Sequence, residues 1–181
     1  MFDRSKLVVR PLSEREHKFT IDKMWKINDW FPICAFPQLD ELANEINAAK
    51  NAYQPVIWMM GAHPIRRGNS RLIIDLLARG KITHIATSGA GAIHDLEFAL
   101  IGATCEDVER YIKDGSFGNW EETAREINGA AKEACRKKIG FGQKRFRVAF
   151  VQDRRLRTDG FLSVRERRSA RTVSRPRKMD D

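Results

Sequence analysis

Val56-Ile57-Trp58-Met59-Met60, Gly61-Ala62-His63-Pro64-Ile65-Arg66-Arg67-Gly68, Ile82-Thr83-His84-Ile85-Ala86 and Thr87-Ser88-Gly89-Ala90-Gly91-Ala92 are the four segments from which the fold is read. The first is a continuous apolar run of strand length, as expected for a strand buried on both faces of a parallel sheet. The second is turn-rich and leads into a helix capped by Asn69 or Ser70. That helix carries Leu72, Ile73, Leu76 and Leu77 on one face and ends at Gly80, where a C-terminal glycine cap belongs. Residues 82–86 read as a second short strand. The glycine-rich turn at 87–92 then precedes a helix over residues 93–101. Strand, loop and helix thus recur twice within about 45 residues, the repeat of a doubly wound, mostly parallel α/β sheet.

Outward from this segment the pattern stays simple. Residues 1–37 are punctuated by Pro11, Pro32 and Pro37 and read as an extended lead-in. Leu39, Leu42, Ala43, Ile46 and Ala49 recur at helical spacing, predicting a helix over 39–53 that Pro55 stops. Two capping patterns, Thr104-Cys105-Glu106-Asp107 and Asn119-Trp120-Glu121-Glu122, predict helices over 106–113 and 120–138. The α/β domain is therefore expected over 38–140. Residues 141–181 change character and read as a basic, disordered tail, although 141–150 also suits a strand.

Charge follows the same division. The 181 residues carry a net +9, but 13 Lys and Arg against 5 Asp and Glu lie in 141–181, leaving 20 against 19 before it. The globular part is nearly neutral, so a basic nucleic-acid face is expected only on the tail. Cys34, Cys105 and Cys135 are odd in number and widely spaced, and the four histidines lack metal-ligand spacing. The expectation is a cytoplasmic protein with reduced thiols, no metal and no membrane segment.

Three constellations carry candidate chemistry. The turn at 87–92 leaves a strand end and opens a helix, where backbone N–H groups meet phosphates or sugars; its alternative is a tight turn that needs small residues for packing. Arg66 and Arg67 suit an anionic cofactor, or are simply solvated. Asp95 suits the positive end of the following helix. His94 beside it is a candidate acid or base, and His63 carries the same ambiguity. The loops 61–68 and 87–92 are expected side by side at one sheet edge.

Residues 9–18 (Val-Arg-Pro-Leu-Ser-Glu-Arg-Glu-His-Lys), 60–65, 76–81, 89–97 (Gly-Ala-Gly-Ala-Ile-His-Asp-Leu-Glu) and 114–118 together resemble the bacterial branch of the deoxyhypusine synthase family. The likeness runs from about residue 8 to 139. It implies a Rossmann-like fold with NAD at the carboxyl edge of a parallel sheet, and a homo-oligomer with sites between subunits. It also implies NAD-dependent transfer of the aminobutyl group of the polyamine spermidine to a lysine, in the hypusine pathway. The family's cofactor loop falls on Ala62, His63, Pro64, Ile65 and Arg66. A second cofactor loop falls on Ser88, Gly89 and Ala90. Its acidic triplet, which holds cofactor and polyamine, falls on Ile93, His94 and Asp95, so two carboxylates that a polyamine requires are replaced. Only the N-terminal half of the family pattern is covered. Its nucleophilic lysine has no counterpart, and neither Lys144 nor Lys178 lies in a matching motif. The tail resembles nothing in the family and reads as a shifted frame or as a native basic arm.

Two function classes follow. One is an NAD-linked, deoxyhypusine-synthase-like protein, expected to be truncated and inactive alone. The other is a nucleotide-binding half-domain whose basic tail contacts RNA or an acidic partner. A non-functional product of an interrupted gene is the third reading.

Overall fold

The computed structural model describes residue 3, residues 6–32 and residues 36–141. The tail from 142 onward, with its expected disorder, its nucleic-acid face and the possible strand at 141–150, lies outside them. Helix α1 (Pro37–Asn51) starts with proline in its first turn and ends just before Tyr53, whose φ is +56°. Strand β2 (Ile57–Met60) and strand β3 (His84–Thr87) are parallel and in register, Ile57 opposite His84 and Met60 opposite Thr87. Between them run α2 (His63–Arg66) and α3 (Ser70–Ala78). Gly80 takes the left-handed φ of +69° expected of a helix-ending glycine. Helix α4 (Gly89–Ile101) follows β3. The short strand β4 (Ala103–Thr104) then pairs antiparallel with β1 (Phe19–Thr20) of the lead-in. Helices α5 (Val108–Ile112) and α6 (Glu121–Arg136) complete the described chain.

The molecule is therefore mixed α/β with small sheets. Among the described residues the parallel sheet has two strands, β2 and β3, rather than the wider sheet expected. Its burial also differs from the expectation. Trp58, Met60 and Ile85 pack on the core, whereas Ile57 and Met59 are 59% and 80% exposed. A continuous apolar run does not reveal whether one face or two are covered, and here one is. The apolar stripe of α1 is likewise uncovered, with Leu39 and Leu42 half exposed and none of its residues buried.

The core sits on the other side of the sheet. Met24, Ile65, Ile73, Ile82 and Phe98 form its buried centre, so α3 and α4 face inward as their periodicity predicts. The lead-in, expected to be extended, holds two short 3-10 turns (Leu12–Glu14 and Ile21–Lys23) and is not peripheral. Met24 closes this core, and Phe19 meets Phe98 edge-on at 6.0 Å. A second cluster joins Leu12 of the lead-in to Tyr111 and Trp120. Backbone bonds between Arg10 and the 119–121 segment hold it there (Arg10 N–H to Asn119 O 3.0 Å, Glu121 N–H to Arg10 O 2.9 Å).

Two expected helix starts are corrected. Gly89, Ala90, Gly91 and Ala92 are not a loop but the first turn of α4, with Ser88 at the N-cap position and no side-chain capping bond. The cap of α5 is Asp107, whose carboxylate accepts from Arg110 N–H, while Thr104 is drawn into β4. The two glycines of α4 also have different tasks. A Cβ on Gly91 would fall well inside van der Waals contact of Thr87 Oγ1, whereas one on Gly89 meets nothing within 4 Å. Gly91 is a packing glycine, required where α4 turns back against β3. Gly91→Ala is expected to cost about 1–3 kcal/mol, because β-branched Thr87 must change rotamer or the helix must shift. Gly89→Ala is expected to be neutral, or to stabilise by up to about 1 kcal/mol through helix propensity. Paired urea titrations check both; equal losses would remove the distinction.

Candidate functional site

The register of β2 with β3 places Gly61 next to Ser88, so the two predicted cofactor segments leave the same sheet edge. A shallow groove of about 490 Å³ lies there, lined by Met59, Met60, Gly61, Ala86 and Thr87. Ser88, Gly89 and Ala90, which follow Thr87 into α4, are exposed, and neither Gly61 nor Gly89 has an atom near the position of an added Cβ. On the α2 side, His63 and Arg66 are exposed, and Ala62 and Pro64 are half-buried. Segment 61–68 is thus largely a short helix rather than an open loop. Its N–H groups are partly spent internally, Arg66 N–H on Ala62 O and Arg67 N–H on His63 O, each at 3.0 Å.

Two residues assigned by resemblance lie elsewhere. Ile65 is fully buried in the main core, so it packs rather than touches a cofactor. Asp95 is 2% exposed and sits in the second turn of α4, beyond the positive helix end. A residue so buried offers no carboxylate to a polyamine at the surface.

His94 gains what the sequence left open, a located partner. Its Nδ1 lies 2.7 Å from Thr104 Oγ1, and Thr104 donates to Glu97 Oε2 at 2.6 Å. Glu97 is 2% exposed and takes a bidentate fork from Arg15, Nη1 to Oε1 at 2.8 Å and Nη2 to Oε2 at 2.6 Å. Thr123 Oγ1 adds a fourth donor to Oε1 at 3.1 Å. The charge of a buried carboxylate is thereby matched by a guanidinium and every lone-pair direction is used, which makes the burial tolerable. Arg15 also lies over the Trp120 ring at 5.5 Å and donates from Nε to His17 Nδ1 at 3.2 Å. Lead-in, α4, β4 and α6 therefore meet at one buried polar cluster. No periodicity or motif chemistry in the sequence singles out Arg15, Thr104, Glu97 or Thr123 as site residues; Arg15 and Glu97 stand there only within the stretches that carry the family resemblance.

The charges around the cluster are of both signs. Burial pushes the His94 imidazole below its ordinary value. Glu97 pulls the other way, and Arg66, Arg15 and His63 add to the depression. His17 is lowered by burial and then by Arg15. The Cys105 thiol is raised by burial, so it stays protonated, and its φ of +66° is a strained backbone for a non-glycine residue. The surroundings of His94 and Cys105 suit an anionic or hydroxyl-bearing group better than a cationic amine. No described helix is long and apolar enough to cross a membrane.

Compared with family models, curated proteins and solved structures, the chain matches none of them.

Proposed function

We propose that this chain is a nucleotide-binding protein of the deoxyhypusine-synthase-like, doubly wound type, taking an NAD-class dinucleotide at the carboxyl edge of β2 and β3 for NAD-linked transfer chemistry. The observation that carries the reading is the in-register pairing of Met60 with Thr87, which makes Gly61 and Ser88, one residue before Gly89, leave the same sheet edge, where Gly61 and Thr87 line one groove. The residues fit the cofactor in part. Gly89 opens α4, where N–H groups and the helix dipole favour a phosphate, and Arg66 supplies charge beside it. Ala62, His63, Ser88 and Ala90 would border it. NAD, when bound, supplies a hydride acceptor; the chain's residues bind and orient it. The fit to spermidine is poor, because Asp95 is buried, Glu97 is neutralised by Arg15, and Arg66 and His63 stand nearby. Aminobutyl transfer from spermidine is accordingly not expected of this chain.

The test is a calorimetric titration of the full chain with NAD and with ADP-ribose. Binding is expected in the wild type and is expected to be lost in Gly89→Leu, whose Cβ enters open space. Equal affinity in both proteins, or no heat in either, would remove the proposal. The competing reading, a basic tail on RNA or an acidic protein, rests on the concentration of charge in residues 141–181. It calls instead for nucleic-acid binding that weakens steeply with salt.

A further inference from the structure

The hydrogen bonds of the buried cluster leave no freedom in where its protons sit. A carboxylate holding a guanidinium fork is acceptor-only, so the single Thr104 proton is committed to Glu97 Oε2. Thr104 Oγ1 then faces His94 Nδ1 as an acceptor, and Nδ1 must carry a hydrogen. In a neutral imidazole that leaves the lone pair on Nε2. The opposite holds at His17. Arg15 Nε always carries a proton and donates it to His17 Nδ1, so the His17 hydrogen is on Nε2. One ion pair thus sets two histidines in opposite tautomers.

We propose that the Arg15–Glu97 pair is a tautomer lock, fixing the His17 proton on Nε2 and holding His94 Nε2 as a fixed proton acceptor toward a hydroxyl group of a bound phosphate-bearing ligand. The solvated histidine side chain favours the Nε2–H form, so His94 is held in the less common one. The ligand class follows from the charges facing His94. They are Arg66 from α2 and the Arg15–Glu97 pair, whose two charges offset one another; the His63 ring of α2 also faces it. Arg66 and Arg67 also act on neighbouring Cys105. A cationic amine meets repulsion there; a sugar phosphate offers an anion to the arginines and a hydroxyl to the imidazole. His94 is the ligand-facing base in this account. Thr104, Glu97 and Arg15 are positioning residues that act through it. The location of the ligand rests on the cofactor reading above; the proton positions do not.

Both imidazoles are held neutral by burial and by neighbouring cations, and protonating His17 would also bring an N–H against Arg15 Nε–H. Their folded values lie below the ordinary 6.5. The stability this contributes is complete above that value and is lost as pH falls from it toward the folded values.

Long-range 1H–15N correlation spectra of the full chain at pH 7.5 are the direct test. The expected result is His94 in the Nδ1–H form and His17 in the Nε2–H form. Either ring in the other tautomer, or His94 protonated, would overturn the lock. Thr104→Val should release His94 to the Nε2–H form while leaving His17 unchanged, and Thr104→Ser should retain the wild-type pattern. Should Thr104→Val fail to fold, the wild-type spectrum still decides. Adding ADP-ribose is expected to move the His94 Nε2 resonance, and Thr104→Val to weaken that ligand by about tenfold, the loss of one hydrogen bond. An unmoved Nε2 resonance at saturation overturns the ligand role. Failure of ADP-ribose to bind at all removes the cofactor reading and the ligand role together, while the tautomers, read in the free chain, are judged separately.

Discussion

Glu97→Gln is expected to destabilise the chain by about 3–5 kcal/mol, a large part of the 5–15 kcal/mol that holds a typical domain folded. The side chain keeps its shape, so the loss comes from charge. Arg15 is 5% exposed and has its fork on this one carboxylate. With glutamine it meets one carbonyl oxygen and one amide that can only donate. A guanidinium is then buried without compensation, and the hydroxyls of Thr104 and Thr123 compete for a single acceptor. Removing both charges is a different matter. Arg15→Met with Glu97→Leu leaves no unpaired ion and is expected to recover most of the loss, since apolar replacements of buried pairs are often neutral or better. Urea unfolding followed by tryptophan fluorescence reads both, through the midpoint at unchanged slope. A loss below about 1 kcal/mol in Glu97→Gln would mean that water reaches this pair, contrary to its burial.

Trp120→Ala is expected to cost a similar amount, about 3–5 kcal/mol, for a separate reason. The indole is 2% exposed and packs with Leu12 and Tyr111, the Tyr111 ring meeting it edge-on at 5.0 Å. Its Nε1–H donates to Glu106 Oε2 at 2.7 Å. Truncation leaves a large void at the place where α6 is fastened to the lead-in. Because the Arg15 guanidinium lies over the same ring, the effects of Trp120→Ala and Arg15→Met should not add. A double-mutant cycle measures the shared part. Strict additivity would place the cation–π contact among the negligible ones.

These two residues show where sequence reading worked and where it stopped. β2, β3, α3, α4 and α6 were legible because their signals are local: apolar runs of strand length, Leu72, Ile73, Leu76 and Leu77 at helical spacing, and Gly80 where the helix must turn left-handed. The adjacency of segments 61–68 and 87–92 was legible too, since two parallel strands with a helix between them leave little choice of edge. Burial was less so. The run at residues 56–60 looks the same whether one face of its sheet is covered or two, and Ile65 and Asp95 read as surface candidates because nothing adjacent to them in sequence reports what packs on them.

By itself, then, the sequence determined the order of the longer elements, the parallel pair and the placing of the basic charge in residues 141–181, but not β1, β4 or α2, because periodicity, turn chemistry and composition act over a few residues. Only the tertiary structure decided the site. Arg15 and Glu97 stand 82 positions apart, and Thr123 a further 26 beyond Glu97. In sequence each is an ordinary polar residue with no period to betray a partner. Once the fold brings them within hydrogen-bond distance out of water, His94 Nδ1 is set 2.7 Å from Thr104 Oγ1, a contact that no neighbour of His94 in the sequence reports.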